Sequence, residues 1–285
     1  MCDSICLSLS GKDERLGGSQ GIFRLLEPWK GRRILTKKAK QLTAKLSKTQ
    51  IDRLGDRLRE GSPSDSDLRL LDEYRLSFGK AFETVVRTIR EQLQLEPTGR
   101  PAKSTSSIVE KLHRESIRLS QVQDIAGCRV VVADVAEQER VVVSLCAVFP
   151  GASVVDRRAK PSYGYRAVHV IASLSGKLVE IQVRSLLQHL WAELSEKASD
   201  IVDPAIKYGG GPDPVRELLT SVFTAAAEVE ADEEEIARLE EQHVPEQHQR
   251  DIQELRAKIE HFYESIAYDV DKAISLLKKQ KGQKR

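Results

Sequence analysis

An α+β fold, with a mixed β-sheet core flanked by helices and helical extensions at both ends, is what the sequence predicts. Three observations carry that expectation. Between residues 127 and 184 lie four short runs rich in β-branched residues, GCRVVVA, SVVDRR, RAVHVIASL and LVEIQVR, which is the composition of strands. The segments on either side repeat their apolar residues at helical spacing instead. With 285 residues the chain can hold one large domain, or a core with helical appendages.

Taken in order, residues 1–33 mix Gly, Ser and charge without period and read as a loose lead-in. Residues 34–60 give one or two amphipathic helices, ended by GSPSDS. Asp65 or Ser66 can cap a helix reaching about Leu95, its stripe formed by Leu71, Tyr74, Phe78, Phe82, Val85 and Ile89. EPTGRP breaks it, and SSIVEKLHRE at 106–115 is a short helix opened by serines. GCRVVVA (127–133) is a buried strand, followed by a helix capped by Asp134 and by the strands SVVDRR, RAVHVIASL and LVEIQVR. The last two join at Leu174-Ser175-Gly176-Lys177, a hairpin signal because Gly accepts the positive φ of a tight turn. Helices are expected over 186–200, 213–242 and 248–281, the long two split by His243-Val244-Pro245 into an antiparallel hairpin. The organisation expected is an extension over 1–65, a mixed α/β domain over 66–203, and a helical hairpin with a basic tail over 204–285.

Composition excludes little beyond membrane spans. Hydrophobic residues make up 40% and charged residues 31% of the chain, and no apolar run approaches the roughly 20 residues of a membrane helix. No secretory signal is visible, and a reducing, cytoplasmic location is expected. The net charge of +2 does not argue for a polyanionic partner. The acidic run Glu228–Glu241 and the basic tail Lys278–Arg285 read as solvated surface. Cys128 and Cys146 sit in apolar runs as buried thiols, and Cys2 and Cys6 lack partners at metal-site spacing.

The hairpin allows the core to be read more closely. A turn centred on Ser175-Gly176 sets Ile171 opposite Glu180 and His169 opposite Gln182. Tyr165, Ala167, His169, Glu180, Gln182 and Arg184 then share one face, while Arg166, Val168, Val170, Val179, Ile181 and Val183 take the other. The first face is either ordinary solvated sheet or a site. Asp124, at the entry of the strand that carries Arg129, is either a turn cap or, with Glu180, one of two carboxylates for Mg2+, an ion that favours carboxylates plus substrate phosphates. Arg100, Lys103 and Lys111 form a basic cluster around Ser104–Ser107, suited to a polyphosphate. No P-loop or dinucleotide fingerprint occurs, and His189 with Glu193 does not make a two-histidine zinc helix. Phosphate chemistry at a metal is what remains.

SIVEKL (107–112), DIAGCRVVV (124–132), GYRAVH (164–169), VEIQVRS (179–185) and QHLWAE (188–193), in that order and spacing, resemble the synthetase domain of the RelA/SpoT family, which makes the alarmones ppGpp and pppGpp. The resemblance covers about residues 95–200. It implies a nucleotidyltransferase-like sheet in the 66–203 domain and transfer of the β,γ-pyrophosphate of ATP to the 3′-hydroxyl of GDP or GTP. It also implies roles. Asp124 is a Mg2+ ligand, and Glu180 acts on the 3′-hydroxyl or helps to place the metal. Arg129 and Arg100 sandwich the adenine ring, and Lys103 and Lys111 bind phosphates. Tyr165 stacks on the acceptor base; Lys160, Tyr163, His169 and Gln182 contact the acceptor; Arg184, His189 and Glu193 support the cleft.

Two stretches depart from the family's pattern. Pro101 stands where an arginine is usual, leaving Arg100 three residues before Lys103, and the loop Lys160–Tyr165 is one residue longer and lacks an asparagine. No His-Asp dipeptide of the family's hydrolase domain occurs, so the chain resembles a small, synthetase-only member. A second reading keeps the chemistry and changes the acceptor: a toxin, paired with an antitoxin, that makes adenine alarmones or modifies the 3′ end of tRNA. A third is a nucleotide-binding module without turnover. The terminal helices suit a homo-oligomer or an antitoxin.

Overall fold

The computed structural model describes residues 46–241 and 252–265, with positions 250, 268, 272 and 275. The expectations for residues 1–45, including Cys2 and Cys6, for the break at His243–Pro245 and for the basic tail lie outside the described residues.

Helix α1 (Lys48–Arg59) opens on a capping box of Ser47 and Gln50. The single helix expected over 65–95 is two, α2 (Asp65–Leu76) and α3 (Gly79–Leu93). The cap of α2 is Ser64, reciprocated by Asp67, rather than Asp65 or Ser66. The break has a local cause. The Ser77 hydroxyl donates to the Tyr74 carbonyl at 2.5 Å, and Gly79, two residues on, has the weakest preference for helix short of proline. Tyr74 and Phe78 then meet edge to face at 5.2 Å.

The EPTGRP stretch, read as a break, contains strand β1 (Thr98–Arg100). Next come α4 (Thr105–Arg114, capped by Ser104), β2 (Ala126–Val132), α5 (Val135–Val148, capped by Asp134) and β3 (Ser153–Asp156). Strands β4 (Val168–Leu174) and β5 (Lys177–Ser185) form the expected hairpin. Ser175 and Gly176 both have positive φ, 52° and 76°, as a two-residue turn between twisted strands requires. The sheet order is β1-β2-β5-β4-β3; β2 and β5 are parallel and the other pairs antiparallel, giving the mixed α+β core that the sequence predicts. Strand β4 starts two residues later than expected, leaving Arg166 outside the ladder.

One face of the sheet is apolar. Cys128, Val130, Val132, Val168, Val170, Val179, Ile181 and Val183 pack against Ala81, Val85 and Ile89 of α3 and Val141, Val142 and Leu145 of α5. A second cluster joins α1, α2, α4 and Ile125, so packing continues across residue 65. The third unites α6 (Leu186–Ile201), a 3-10 turn at Pro204–Tyr208 and α7 (Asp213–Glu241), with Ile259, Phe262 and Tyr263 laid against it, so packing also continues across residue 203. No helix among the described residues is long and apolar enough to cross a membrane.

The acidic run is not all solvated surface. Glu230 is 5% exposed, and Glu233 accepts a 2.6 Å hydrogen bond from the Tyr263 hydroxyl, tying residues 252–265 to α7. Burial pushes the Glu233 carboxyl up to about 7 and the charges of Asp134 and Glu230 add to it, against the Tyr263 hydrogen bond. Such a carboxyl costs nothing below its unfolded value near 4.5, where both states are protonated. As pH rises from there to about 7 the unfolded chain ionises first, so stability falls. Glu233→Gln is therefore expected to gain on the parent by about 3 kcal/mol at pH 8 but not at pH 4.5, read by urea unfolding at both values.

A methyl group built on Gly127 would lie 2.8 Å from the Glu180 carbonyl oxygen of the parallel neighbour. Gly127→Ala is expected to force β2 and β5 apart and to lower stability by about 1–3 kcal/mol, measured by denaturant unfolding.

Candidate active site

The face of the sheet opposite the valine cluster carries the polar residues singled out in the sequence. Register places them in rows. Arg100 stands opposite Gly127, Gly127 opposite Glu180, and Glu180 opposite Ile171. In the next row Arg129 stands opposite Gln182, and Gln182 opposite His169. Directly opposed residues share a face, so Arg100, Arg129, Glu180, Gln182 and His169 project together.

Five side chains close into a ring. Gln182 Nε2 donates to Glu180 Oε1 at 2.6 Å. Arg184 Nη2 donates to Gln182 Oε1 at 2.9 Å and to the Tyr165 hydroxyl at 3.1 Å. The hydroxyl lies 2.9 Å from His169 Nε2, and His169 Nδ1 is 3.5 Å from Glu180 Oε2. One tautomer satisfies every contact: hydrogen on Nδ1 facing Glu180, and Nε2 accepting from Tyr165. Burial alone would raise the Glu180 carboxyl, but His169 and Gln182 outweigh it and hold it below the usual range.

Asp124 sits just ahead of β2, with Lys103 Nζ at 2.6 Å from one carboxylate oxygen and Lys111 Nζ at 3.0 Å from the other. Lys103 is fixed further by its backbone N–H, which donates to the Ile125 carbonyl at 2.7 Å. Burial works to raise Asp124, but the two ammonium groups bring it down to about 2. Desolvation lowers Lys103 in turn, outweighing the attraction of Asp124. Asp124 and Glu180 feel each other's charge.

Beside the ring lie donors without partners. Arg184 is 2% exposed, yet its Nε and Nη1 have no hydrogen-bond partner, and the same holds for Arg129 Nε; the ring nitrogen Nδ1 of His189 is unpartnered too. These groups are near enough to repel. Burial, Arg129 and Arg184 together push His189 down to about 3, so its imidazole is neutral at physiological pH. Burial and then Arg184 lower Arg129. Arg129 Nη1 is held by Glu193 at 3.1 Å. Unsatisfied donors on buried cations are costly, and an anionic ligand is what such a set can take.

The sequence-predicted residues thus fall into three groups. The structure brings together Tyr165, His169, Glu180, Gln182 and Arg184, joins Asp124 to Lys103 and Lys111, and sets Arg129 against Glu193 with His189 near by. Arg100 is exposed on β1, where its charge still reaches Lys103. Lys160 and Tyr163 are exposed on the loop before β4, in which Tyr163 has φ 53° and Ser162 bridges to Tyr165.

Some contributors were not singled out. Glu196 is a second carboxylate 3.8 Å from Arg129, one helical turn beyond Glu193, and that spacing is its sequence signal. Gln138, fully buried on α5, donates to the Val183 carbonyl and to Gln188, both at 2.8 Å, bracing the strand next to Arg184. Its signal is a polar residue on the inner side of an apolar helix. Among the described residues no cluster of three or more His, Cys, Asp or Glu side chains forms a metal centre. The donor set still fits a hard cation: Asp124 and Glu180 are both held ionised, and carboxylate oxygen is what Mg2+ favours.

Residues 99–199 match the family model described as the region found in RelA/SpoT proteins. An uncharacterized protein of Mycobacterium tuberculosis is 35% identical over 177 residues, covering 59% of this chain and 64% of that one; this chain thus spans under two thirds of that relative's length. The GTP pyrophosphokinase YjbM of Bacillus subtilis is 32% identical over 155 residues, covering 49% of this chain and 70% of YjbM. The crystal structure of small alarmone synthetase 1 from Bacillus subtilis aligns with a TM-score of 0.46 at 27% identity, covering 63% of this chain and all of that one. With identity of this level across more than two thirds of YjbM and the family region spanning β1 to α6, the chain belongs to the RelA/SpoT family.

Proposed function

We propose that the chain is an ATP-dependent pyrophosphokinase that transfers the β,γ-pyrophosphate of ATP to the 3′-hydroxyl of GDP or GTP. The observation that carries this reading is the set of unpartnered N–H groups on Arg129 and Arg184 beside two ionised carboxylates. That combination suits a polyphosphate with its counter-cation. Membership of the RelA/SpoT family and likeness to a protein named GTP pyrophosphokinase support it.

Roles follow from placement. Asp124 and Glu180 would hold Mg2+, which when bound neutralises charge on the triphosphate. Lys103 and Lys111, on either side of Asp124, bind phosphate oxygens. Arg100 and Arg129, on adjacent strands of one face, offer two guanidinium planes to an adenine ring. Glu180, with His169 and Gln182 touching its two oxygens, accepts the hydrogen bond or proton of the attacking hydroxyl. The guanidinium of Arg184 lies 5.0 Å from the centre of the Tyr165 ring, and Tyr165 is the ring proposed to stack on the acceptor base.

A second reading differs in the acceptor. Tyr163, 65% exposed at a positive φ, adds an aromatic surface two residues before Tyr165. That surface suits a further base, including the 3′ end of tRNA, and with it the role of a toxin opposed by an antitoxin. Labelled ATP and Mg2+ incubated in parallel with GDP, GTP, adenine nucleotides and deacylated tRNA separate the readings. The expected product is a guanosine tetra- or pentaphosphate, and label found only on tRNA or adenine nucleotides overturns the guanine assignment.

Asp124→Asn and Glu180→Gln are each expected to lower kcat by about 10²–10⁴-fold, judged by initial rates on protein whose circular dichroism matches the parent. Arg129→Ala should raise the KM for ATP by about tenfold while the KM for the acceptor moves far less, as loss of one stacked cation predicts.

A further inference from the structure

Helix α7 contributes no side chain to the ring of polar residues, yet it touches the residue that follows each of two ring members, Tyr165 and Arg184. Glu230 is 5% exposed and uses both carboxylate oxygens. Oε2 meets Arg166 Nη1 at 2.7 Å, and Oε1 accepts from the Ser185 hydroxyl at 2.6 Å. Arg166 directly follows Tyr165, and Ser185 directly follows Arg184. The same guanidinium lies 5.0 Å above the Phe223 ring, two turns earlier on α7, so it is held along the helix rather than at one point.

The other flanks are held too. Gly164, immediately before Tyr165, lies so close to Trp191 that an added methyl would sit 2.6 Å from the indole. Trp191 Nε1 donates to the Leu219 carbonyl of α7 at 2.9 Å. Tyr165 is thus bracketed by two residues that both lead to α7. Ser185 is fully buried and is also the N-cap of α6, accepting from the Gln188 N–H while it donates to Glu230. A displaced Glu230 would therefore disturb the end of β5 and the start of the helix that carries His189 and Glu193.

We infer that Glu230 is a positioning residue for the site: it fixes the backbone after Tyr165 and after Arg184, so that the geometry of the phosphate-and-acceptor face depends on the docking of α7. For its effect on turnover the inference rests on the pyrophosphokinase reading; for its effect on the site's geometry it does not. A carboxylate that only fastened a helix would need one partner. Glu230 has two, one from the turn before β4 and one from the end of β5, the segments that carry the ring's Tyr–Arg contact, and replacing it leaves the Arg166 guanidinium, 11% exposed, without its carboxylate.

The test uses the full chain and three variants. Glu230→Ala removes both contacts. Glu230→Gln keeps the shape and the Ser185 hydrogen bond while losing the charge opposite Arg166. Val229→Ala, one residue away in the α6–α7 cluster, weakens the same packing without touching either partner. Hydrogen exchange is followed at amides 163–168 and 183–188 and, as reference, in α1 to α3. In Glu230→Ala the two site segments are expected to exchange about tenfold faster while the reference helices do not change, with Glu230→Gln intermediate and Val229→Ala like the parent. In the turnover assay Glu230→Ala should lose about tenfold or more in kcat, since small misplacements are costly, with the KM for ATP within about twofold. Equal effects of Glu230→Ala and Val229→Ala on exchange in the site segments would overturn the inference and leave Glu230 a docking contact. If Glu230→Ala does not fold, an exchange profile of Glu230→Gln indistinguishable from the parent's overturns it equally. A parent without turnover on any acceptor defeats the pyrophosphokinase reading, while the exchange comparison still decides the role of Glu230.

Discussion

The close parallel approach of β2 to β5 at Gly127 is the constraint on which the site depends. Where any side chain would meet the Glu180 carbonyl, glycine lets the two strands run at full pairing from Ala126–Val179 to Val132–Ser185. That register sets Arg129 beside Gln182 and places Glu180 next to the strand that Asp124 leads into. Because β5 also pairs antiparallel with β4, Glu180 and Gln182 receive His169 from the other side. A single strand with two neighbours of opposite direction thereby gathers groups from three distant parts of the sequence. The valines of its other face, buried against α3 and α5, keep the arrangement from slipping, since a shift of one residue would exchange the two faces.

The site concentrates charge at the expense of local stability. Arg129 and Arg184 repel each other, both retain unpartnered N–H groups, and the His189 imidazole is driven neutral between them. A protein selected for stability alone would pair or remove such groups, because a buried donor without a partner costs about 1–3 kcal/mol. Here the carboxylates are satisfied by lysines, histidine and amide, while N–H groups of Arg129 and Arg184 stay without partners. That asymmetry suits a ligand rich in phosphate.

How legible this was in the sequence differed by the range of the interaction involved. The β4–β5 hairpin, its register and the residues sharing Glu180's face follow from period-two alternation and one glycine, all within twenty-odd residues, and the structure agrees. The Asp134 cap is equally local, whereas α4 opens on Ser104, two residues ahead of the serines expected to start it. Strand β1 was missed because Thr-Gly-Arg between prolines has no pattern of its own and becomes a strand only by pairing with β2. The division of residues 65–95 was missed because an unbroken apolar stripe outweighed a Ser-Phe-Gly signal three residues long. Hardest of all was Glu230. Inside an acidic run it looks like solvated surface, and only Arg166, far upstream, and the folding back of α7 make it buried. Among the site residues, the types could be read from sequence, but not that both lysines converge on Asp124, nor that Tyr165 is hydrogen-bonded inside a ring.

The contact between Gly164 and Trp191 has a practical side. The chain has two tryptophans, and the other, Trp29, lies near the N-terminus. Replacing Trp29 with phenylalanine would leave a single indole emitter directly beneath the turn that presents Tyr163 and Tyr165. Its emission wavelength and quenching would then report any ligand that contacts that turn in real time, without a label.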